Sequence, residues 1–227
     1  MPSIEAKPLT ISHEAFQVSA LLIAPRTARA CYVLAHGAGA GMEHPFMRAV
    51  AAGLAERDIA TLRYQFPYME EGRKRPDPPA VAQTAVRAAA AEAQRRLPEL
   101  PLFAGGKSFG ARMTSQAQAA EPLSGVRGLV FLGFPLHPAG RPSQIRARHL
   151  SDVRIPMLFL QGMRDSLAEL SELEPMCHAL GSRATLKLFE HADHSFHVPV
   201  KSGRKDDEIR AELLDTLAAW IDQHANR

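Results

Sequence analysis

The chain has 227 residues, of which 46% are hydrophobic, 22% charged and 6% aromatic. That supplies enough apolar side chain for a packed core and excludes a disordered chain. Its 27 Lys and Arg against 24 Asp and Glu leave a formal charge of +3, spread out with no long basic tract, so nucleic-acid binding is not expected.

At this length an α/β chain is often one unit, and residues 1–227 are expected to form a single domain. The N-terminus carries Pro2 and Glu5 in place of a basic start with an apolar stretch. The run Val18 to Ala24 is shorter than the roughly 20 residues that span a bilayer. Neither a signal peptide nor a membrane anchor is therefore expected. The two cysteines, Cys31 and Cys177, match no C-x-x-C or Cys/His metal spacing. No disulfide framework or zinc site is expected, and a reducing cytoplasm fits best.

From about residue 30 onward, short apolar runs alternate with longer segments of helical period. Cys31 to Ala35 is the first predicted strand, followed by a helix over Pro45 to Arg57 and a strand over Ile59 to Tyr64. Gln65 to Pro78, rich in Pro and Arg, is a predicted loop. Pro79 to Leu97 is a helix whose Ala88 to Ala93 tract suits close packing. Then come the strand Pro101 to Gly105, the helix Phe109 to Ala120 and the strand Arg127 to Leu132. Gly133 to Pro156 reads as a loop or slight cap. The strand Met157 to Gln161, the helix Ser166 to Leu180, the strand Thr185 to Phe189 and the helix Asp206 to His224 complete the chain. In the last, Ile209, Leu213, Leu214, Leu217, Trp220 and Ile221 share one face, and Trp220 is expected to pack. The alternation implies an α/β fold, a three-layer α/β/α sandwich with a mainly parallel sheet and a minimal or absent cap.

The segment Gly106-Lys107-Ser108-Phe109-Gly110 passes from a strand through glycine into a helix. Such a turn holds its serine in a strained conformation, with small neighbours that let it close. The Phe109 amide then stands at a helix start, where a free donor and the dipole favour an anion. Gly106-Lys107-Ser108 also imitates the end of a phosphate-binding loop. Pro101 stands where that motif needs its first glycine, so nucleotide binding is set aside. By itself the serine reads equally well as a helix N-cap.

A serine hydroxyl needs a histidine to take its proton and a carboxylate to orient that histidine. Asp165 follows the strand Met157 to Gln161, and His194 follows the strand ending at Phe189. Both would project from the carboxyl edge of the sheet, as Ser108 does. His191 and His197 compete with His194, and Asp193 and Glu169 with Asp165. Position favours Ser108, Asp165 and His194, in the chain order of this elbow chemistry; the alternative for Asp165 is capping the helix that starts near Ser166. Glycines 37, 39 and 41 turn the chain after the first predicted strand. Ala38 is thereby placed as a second oxyanion donor, and His36 as a loop-ordering residue.

With these residues in hand the chain resembles the α/β-hydrolase superfamily. The resemblance runs over roughly residues 16 to 224 and rests on His36-Gly37-Ala-Gly-Ala, the Ser108 elbow, Gly133-Phe-Pro-Leu-His-Pro138, Gly162-Met-Arg-Asp165 and Asp193-His-Ser-Phe196. It is most similar to the small dienelactone-hydrolase-like bacterial members, whose relatives include the hydrolase-like domain of a histone-acetyltransferase complex subunit. The resemblance implies Ser108 as nucleophile, His194 as general base then acid, Asp165 as orienting acid, and the Phe109 and Ala38 amides as oxyanion donors. Dienelactone hydrolases proper carry cysteine at the elbow, so their substrate does not carry over to a serine.

The expected function is hydrolysis of an ester-type small molecule, a carboxylic ester or thioester, through an acyl-enzyme. No metal or organic cofactor is required. The alternatives are amide or peptide cleavage by the same residues, or a non-catalytic interaction module on this fold. His137 and Phe134 are candidates for the acyl pocket, Phe134 equally for the core. Arg73-Lys-Arg75, Lys107 and Arg141 are candidates for an anionic substrate group, or for solvated surface charge. The sequence sets no oligomeric state.

Overall fold

A computed structural model describes residues 5–225; Pro2 of the N-terminal segment lies outside them. The strands are β1 (Lys7–His13), β2 (Phe16–Ile23), β3 (Ala30–Ala35), β4 (Ile59–Tyr64), β5 (Leu102–Lys107), β6 (Val126–Leu132), β7 (Met157–Gly162) and β8 (Ala184–Phe189). They form one sheet in the order β1-β2-β4-β3-β5-β6-β7-β8. β2 pairs antiparallel with both β1 and β4, and every pairing from β4 to β8 is parallel. The helices are α1 (Pro45–Ala55), α2 (Pro67–Glu70), α3 (Pro79–Arg96), α4 (Phe109–Ala120), α5 (Leu170–Leu180) and α6 (Asp206–Ala225).

Alternate side chains of each central strand divide between two cores, as the two-residue strand period requires. From β3, Cys31, Val33 and Ala35 pack with α3, α4 and α5. Tyr32 and Leu34 face the other way, toward α1 and α6. In α3 the alanines at 82, 85, 89, 90 and 93 are buried with Val86, and their small size lets the helix lie close to the sheet. Trp220 is packed, 4% exposed, with its ring 5.9 Å from that of Phe103. The three-layer architecture is the expected one.

Two strands, β1 and β2, were not foreseen. β1 is an edge strand on which only Ile11 is fully buried, so its sequence carries almost no apolar alternation. The helix expected from Ser166 starts instead at Leu170. Asp165 takes the Leu167 amide on Oδ1 at 2.8 Å, and its carbonyl takes the Ala168 amide at 3.2 Å, so a turn replaces the first helical turn. The segment Gly133 to Pro156 holds a 3-10 helix, Ile145–Asp152, and Gln65 to Pro78 holds the four-residue α2. Neither builds a cap domain. Among the described residues no helix is long and apolar enough to cross a membrane.

Candidate active site

Ser108 sits between β5 and α4 with φ 51° and ψ −108°, a left-handed conformation costly for a side-chain-bearing residue. The surroundings hold it there. A Cβ on Gly106 would stand 2.1 Å from the Ala35 carbonyl oxygen, and one on Gly110 would stand 2.6 Å from the same atom. The glycines flanking the serine are therefore where the elbow presses against β3, which is the physical reason for the spacing. The Ser108 amide donates to the Leu132 carbonyl at 3.3 Å.

The three residues singled out by chain order converge at the carboxyl edge. His194 Nε2 lies 2.9 Å from Ser108 Oγ, and His194 Nδ1 lies 2.6 Å from Asp165 Oδ2. The Asp165 side chain is fully buried, while that of His194 is 23% exposed, so the carboxylate is shielded and the imidazole is reachable from the cleft. Asp165 is held further by the Leu167 amide on Oδ1 and by the Gln161 side-chain amide on Oδ2. Gln161 in turn accepts the Phe134 amide at 2.9 Å.

The competitors lie elsewhere. His191 is exposed and 3.3 Å from Glu190. His197 pairs with Asp206 at 2.8 Å. Asp193 spends Oδ1 on the amides of Ser195, at 2.7 Å, and His197, at 3.0 Å, shaping the loop that carries His194. Glu169 stands immediately before α5, at its N-cap.

The loop after β3 is tied down on several sides. His36 is buried; its Nδ1–H donates to the Gly37 carbonyl at 2.7 Å and its Nε2 accepts the Phe66 amide at 3.1 Å. Those two bonds fix one tautomer of the neutral ring, and burial pushes its pKa down to about 4. Tyr68 accepts the Gly39 amide at 3.1 Å, and Gln65 the Met42 amide at 2.9 Å. Ala38 is thus held beside Ser108, lining the same clefts. Among the described residues no acceptor pairs with the Ala38 amide, and the Phe109 amide, first in α4, has no intrahelical partner.

Two clefts meet at Ser108. One, of about 380 Å³, is lined by Ala40, His44, Phe46, Met47, Lys107 and Leu167 among others. The second, of about 300 Å³, lies toward Asp77, Arg112 and Arg146. Lys107 reaches the first, yet its Nζ donates to the His194 carbonyl at 2.5 Å and stands 5.6 Å from the centre of the Phe196 ring. Burial outweighs nearby Asp165 and Asp193 and pushes its pKa down to about 8.

The expected pocket residues His137 and Phe134 require correction, since both are fully buried and line neither cleft. Phe134 packs on Phe131 and Phe159. His137 donates from Nδ1 to the Pro138 carbonyl at 2.9 Å and faces the Glu169 amide at 3.5 Å, a structural tie between two loops. Of the candidate cations, Arg73 is paired with Glu71 and Asp77, while Lys74, Arg75 and Arg141 are exposed. Gln161 was not anticipated; its only sequence signal is a polar residue ending an apolar strand. Gly133, in sequence only the start of a loop and part of the resemblance, approaches the site closely: a Cβ there would stand 3.3 Å from the His194 ring.

Residues 28–222 match the family model described as alpha/beta hydrolase domain. Among solved structures, a serine hydrolase without lid from Xanthomonas campestris is similar at TM-score 0.75 and 22% identity, covering 95% of each chain. A dienelactone hydrolase from Anabaena variabilis is similar at TM-score 0.79 and 18% identity, covering 98% of this chain and 99% of the other. The esterase domain of a Rhodothermus marinus protein is similar at TM-score 0.73 and 15% identity, covering 97% and 99%.

Proposed function

Because the chain belongs to the α/β-hydrolase family, we propose that it is a serine hydrolase that cleaves a small-molecule carboxylic ester or thioester through an acyl-enzyme. The observation that carries this reading is the continuous relay Ser108–His194–Asp165, with contacts of 2.9 and 2.6 Å. Ser108 Oγ attacks the carbonyl carbon as its proton passes to His194 Nε2. Asp165 accepts from Nδ1–H, which keeps Nε2 free to act as base and stabilises the imidazolium that forms. The Ala38 and Phe109 amides receive the oxyanion. His194 then returns the proton to the departing alkoxide or thiolate, and a water molecule repeats the sequence on the acyl-enzyme. Phe46, Met47 and Leu167 give the first cleft an apolar wall, suited to a hydrocarbon portion of the substrate.

Ser108→Ala tests the reading. Turnover of para-nitrophenyl butyrate is expected to fall by about 10⁴ or more, and labelling by a fluorophosphonate probe to disappear, with the thermal melt retained. Unchanged turnover in that variant, or a wild type that takes no label, overturns it.

A further inference from the structure

The second cleft at Ser108 is built differently from the first. Ala38, Ser108 and Leu167 line both, so a molecule bound at the nucleophile reaches into each. The second cleft is also lined by two arginines, Arg112 from α4, one helical turn beyond Ser108, and Arg146 from the 3-10 helix Ile145–Asp152. Both are half-buried. Among the described residues neither is within ion-pair distance of a carboxylate, and Arg112 Nε is buried with no hydrogen-bond partner.

That arrangement is costly as it stands. A buried donor left unpaired costs about 1–3 kcal/mol, more when charged, and burial together with the facing Arg146 charge lowers the Arg112 pKa. The anion in the same wall does not relieve it. Asp77 accepts Arg73 Nη2 at 2.7 Å on one oxygen and the Tyr68 amide at 2.9 Å on the other. His149, on the same 3-10 helix as Arg146, is bonded to Ser115 at 2.8 Å; burial and Arg112 push its pKa down to about 4, so it stays neutral and adds no third positive charge. The cleft therefore presents two uncompensated guanidinium groups beside a carbonyl-attacking serine. A guanidinium fork matches the geometry of carboxylate and phosphate oxygens.

We propose that this cleft is an anion subsite, in which Arg112 and Arg146 hold a carboxylate or phosphate on one side of the bond cleaved at Ser108. The substrate class is then an ester or thioester with a hydrocarbon portion on one flank and an anionic group on the other. This rests on the hydrolase reading above.

The test compares kcat/KM for phenyl butyrate with three anionic analogues: para-carboxyphenyl butyrate, para-phosphonooxyphenyl butyrate and phenyl hydrogen succinate. The first two place carboxylate and phosphate on the leaving group, and the third places carboxylate on the acyl side. Wild type is expected to prefer at least one anionic ester over the neutral one by roughly tenfold, the value of one charge-assisted contact. Arg112→Met and Arg146→Met should each abolish that ratio, chiefly through KM, and Arg146→Glu should reverse it. Because the ratio is taken within one protein, a lower folded fraction cancels. No anionic preference in wild type, or an unchanged ratio in both Met variants, overturns the subsite. If wild type hydrolyses none of the four, the hydrolase reading fails separately. Calorimetric titration with para-hydroxybenzoate and phenyl phosphate then decides the subsite: binding lost in Arg146→Glu supports it, and no binding to wild type overturns it.

Discussion

Gly133→Ala separates backbone strain from steric pressure on His194. Gly133 has φ +71°, and its amide is bonded to the Leu160 carbonyl at 2.9 Å, so the chain there does not rotate freely. A β-carbon at this φ costs about 1–2 kcal/mol, equal to a fall of roughly 2–8 °C in Tm for a chain of this size. It would also stand 2.9 Å from Lys107 Nζ and 3.3 Å from His194 Cε1 and Nδ1. Lys107 has little room to yield while it holds the His194 carbonyl at 2.5 Å. The imidazole therefore gives way by a few tenths of an ångström, stretching its 2.9 Å contact with Ser108. A misplacement of 1 Å costs about 10²-fold, so kcat is expected to fall by roughly 3–10-fold. Gly140→Ala is the control: φ is +69°, yet nothing lies within 4 Å of the added carbon. It should lose comparable stability and keep its kcat. Saturating kinetics with para-nitrophenyl butyrate and thermal unfolding on both variants are the measurements. Equal kcat in Gly133→Ala and Gly140→Ala would refute the steric argument.

Two further predictions concern protons. Lys107 has a folded pKa of about 8 against an ordinary 10.5, so between those values the unfolded chain binds the extra proton, and its contribution makes the fold more stable as pH rises. Urea melts of wild type and Lys107→Met from pH 8 to 10.5 should show the wild type gaining relative to the variant; parallel curves would contradict the buried ammonium. His36 has a folded pKa of about 4 against 6.5. The unfolded chain again binds more protons, so stability falls as pH drops from about 6.5 to 4, with a slope approaching 1.4 kcal/mol per pH unit. His36→Asn should flatten that part of the acid unfolding curve, and an unchanged slope would show that His36 is not the group titrating.

The fold was legible wherever a strand was buried on both faces. β4 and α4 were expected over the residues they occupy, and the other central strands to within two residues, because their apolar runs end at Gly, Pro or charged residues. β1 was not legible because this edge strand is exposed over most of both faces, so only Leu9 and Ile11 alternate, too few to mark a strand. The late start of α5 was hidden for a different reason. Asp165 was expected either to orient a histidine or to cap a helix; its Oδ2 lies against His194 Nδ1 while its Oδ1 forms a turn with the Leu167 amide. That bond takes the place of an early helical turn.

At the site, legibility follows how far along the chain a residue's role is decided. Ser108 could be found because its elbow is local: Gly106 and Gly110 are needed within the same pentapeptide. Asp165 and His194 could be found because a parallel sheet delivers strand ends to one edge, so chain order alone brings them near Ser108. Phe134 and His137 sit on the same edge but point inward, and nothing in the sequence distinguishes an inward from an outward side chain in an irregular loop. Arg112 and Arg146 show the same limit from the other side. Arg112 lies four residues beyond Ser108, where a helical reading puts it one turn above that serine. Whether its charge is solvated or confronts a second arginine depends on how the 133–156 segment folds back over α4. Gly133 and Gln161 are set by what crosses from distant segments, the His194 ring for one and the Phe134 amide for the other. In this protein the Ser108–His194–Asp165 chain of contacts is written in local patterns and chain order, whereas the groups packed around it and the arginines of the second cleft are specified by contacts between distant segments.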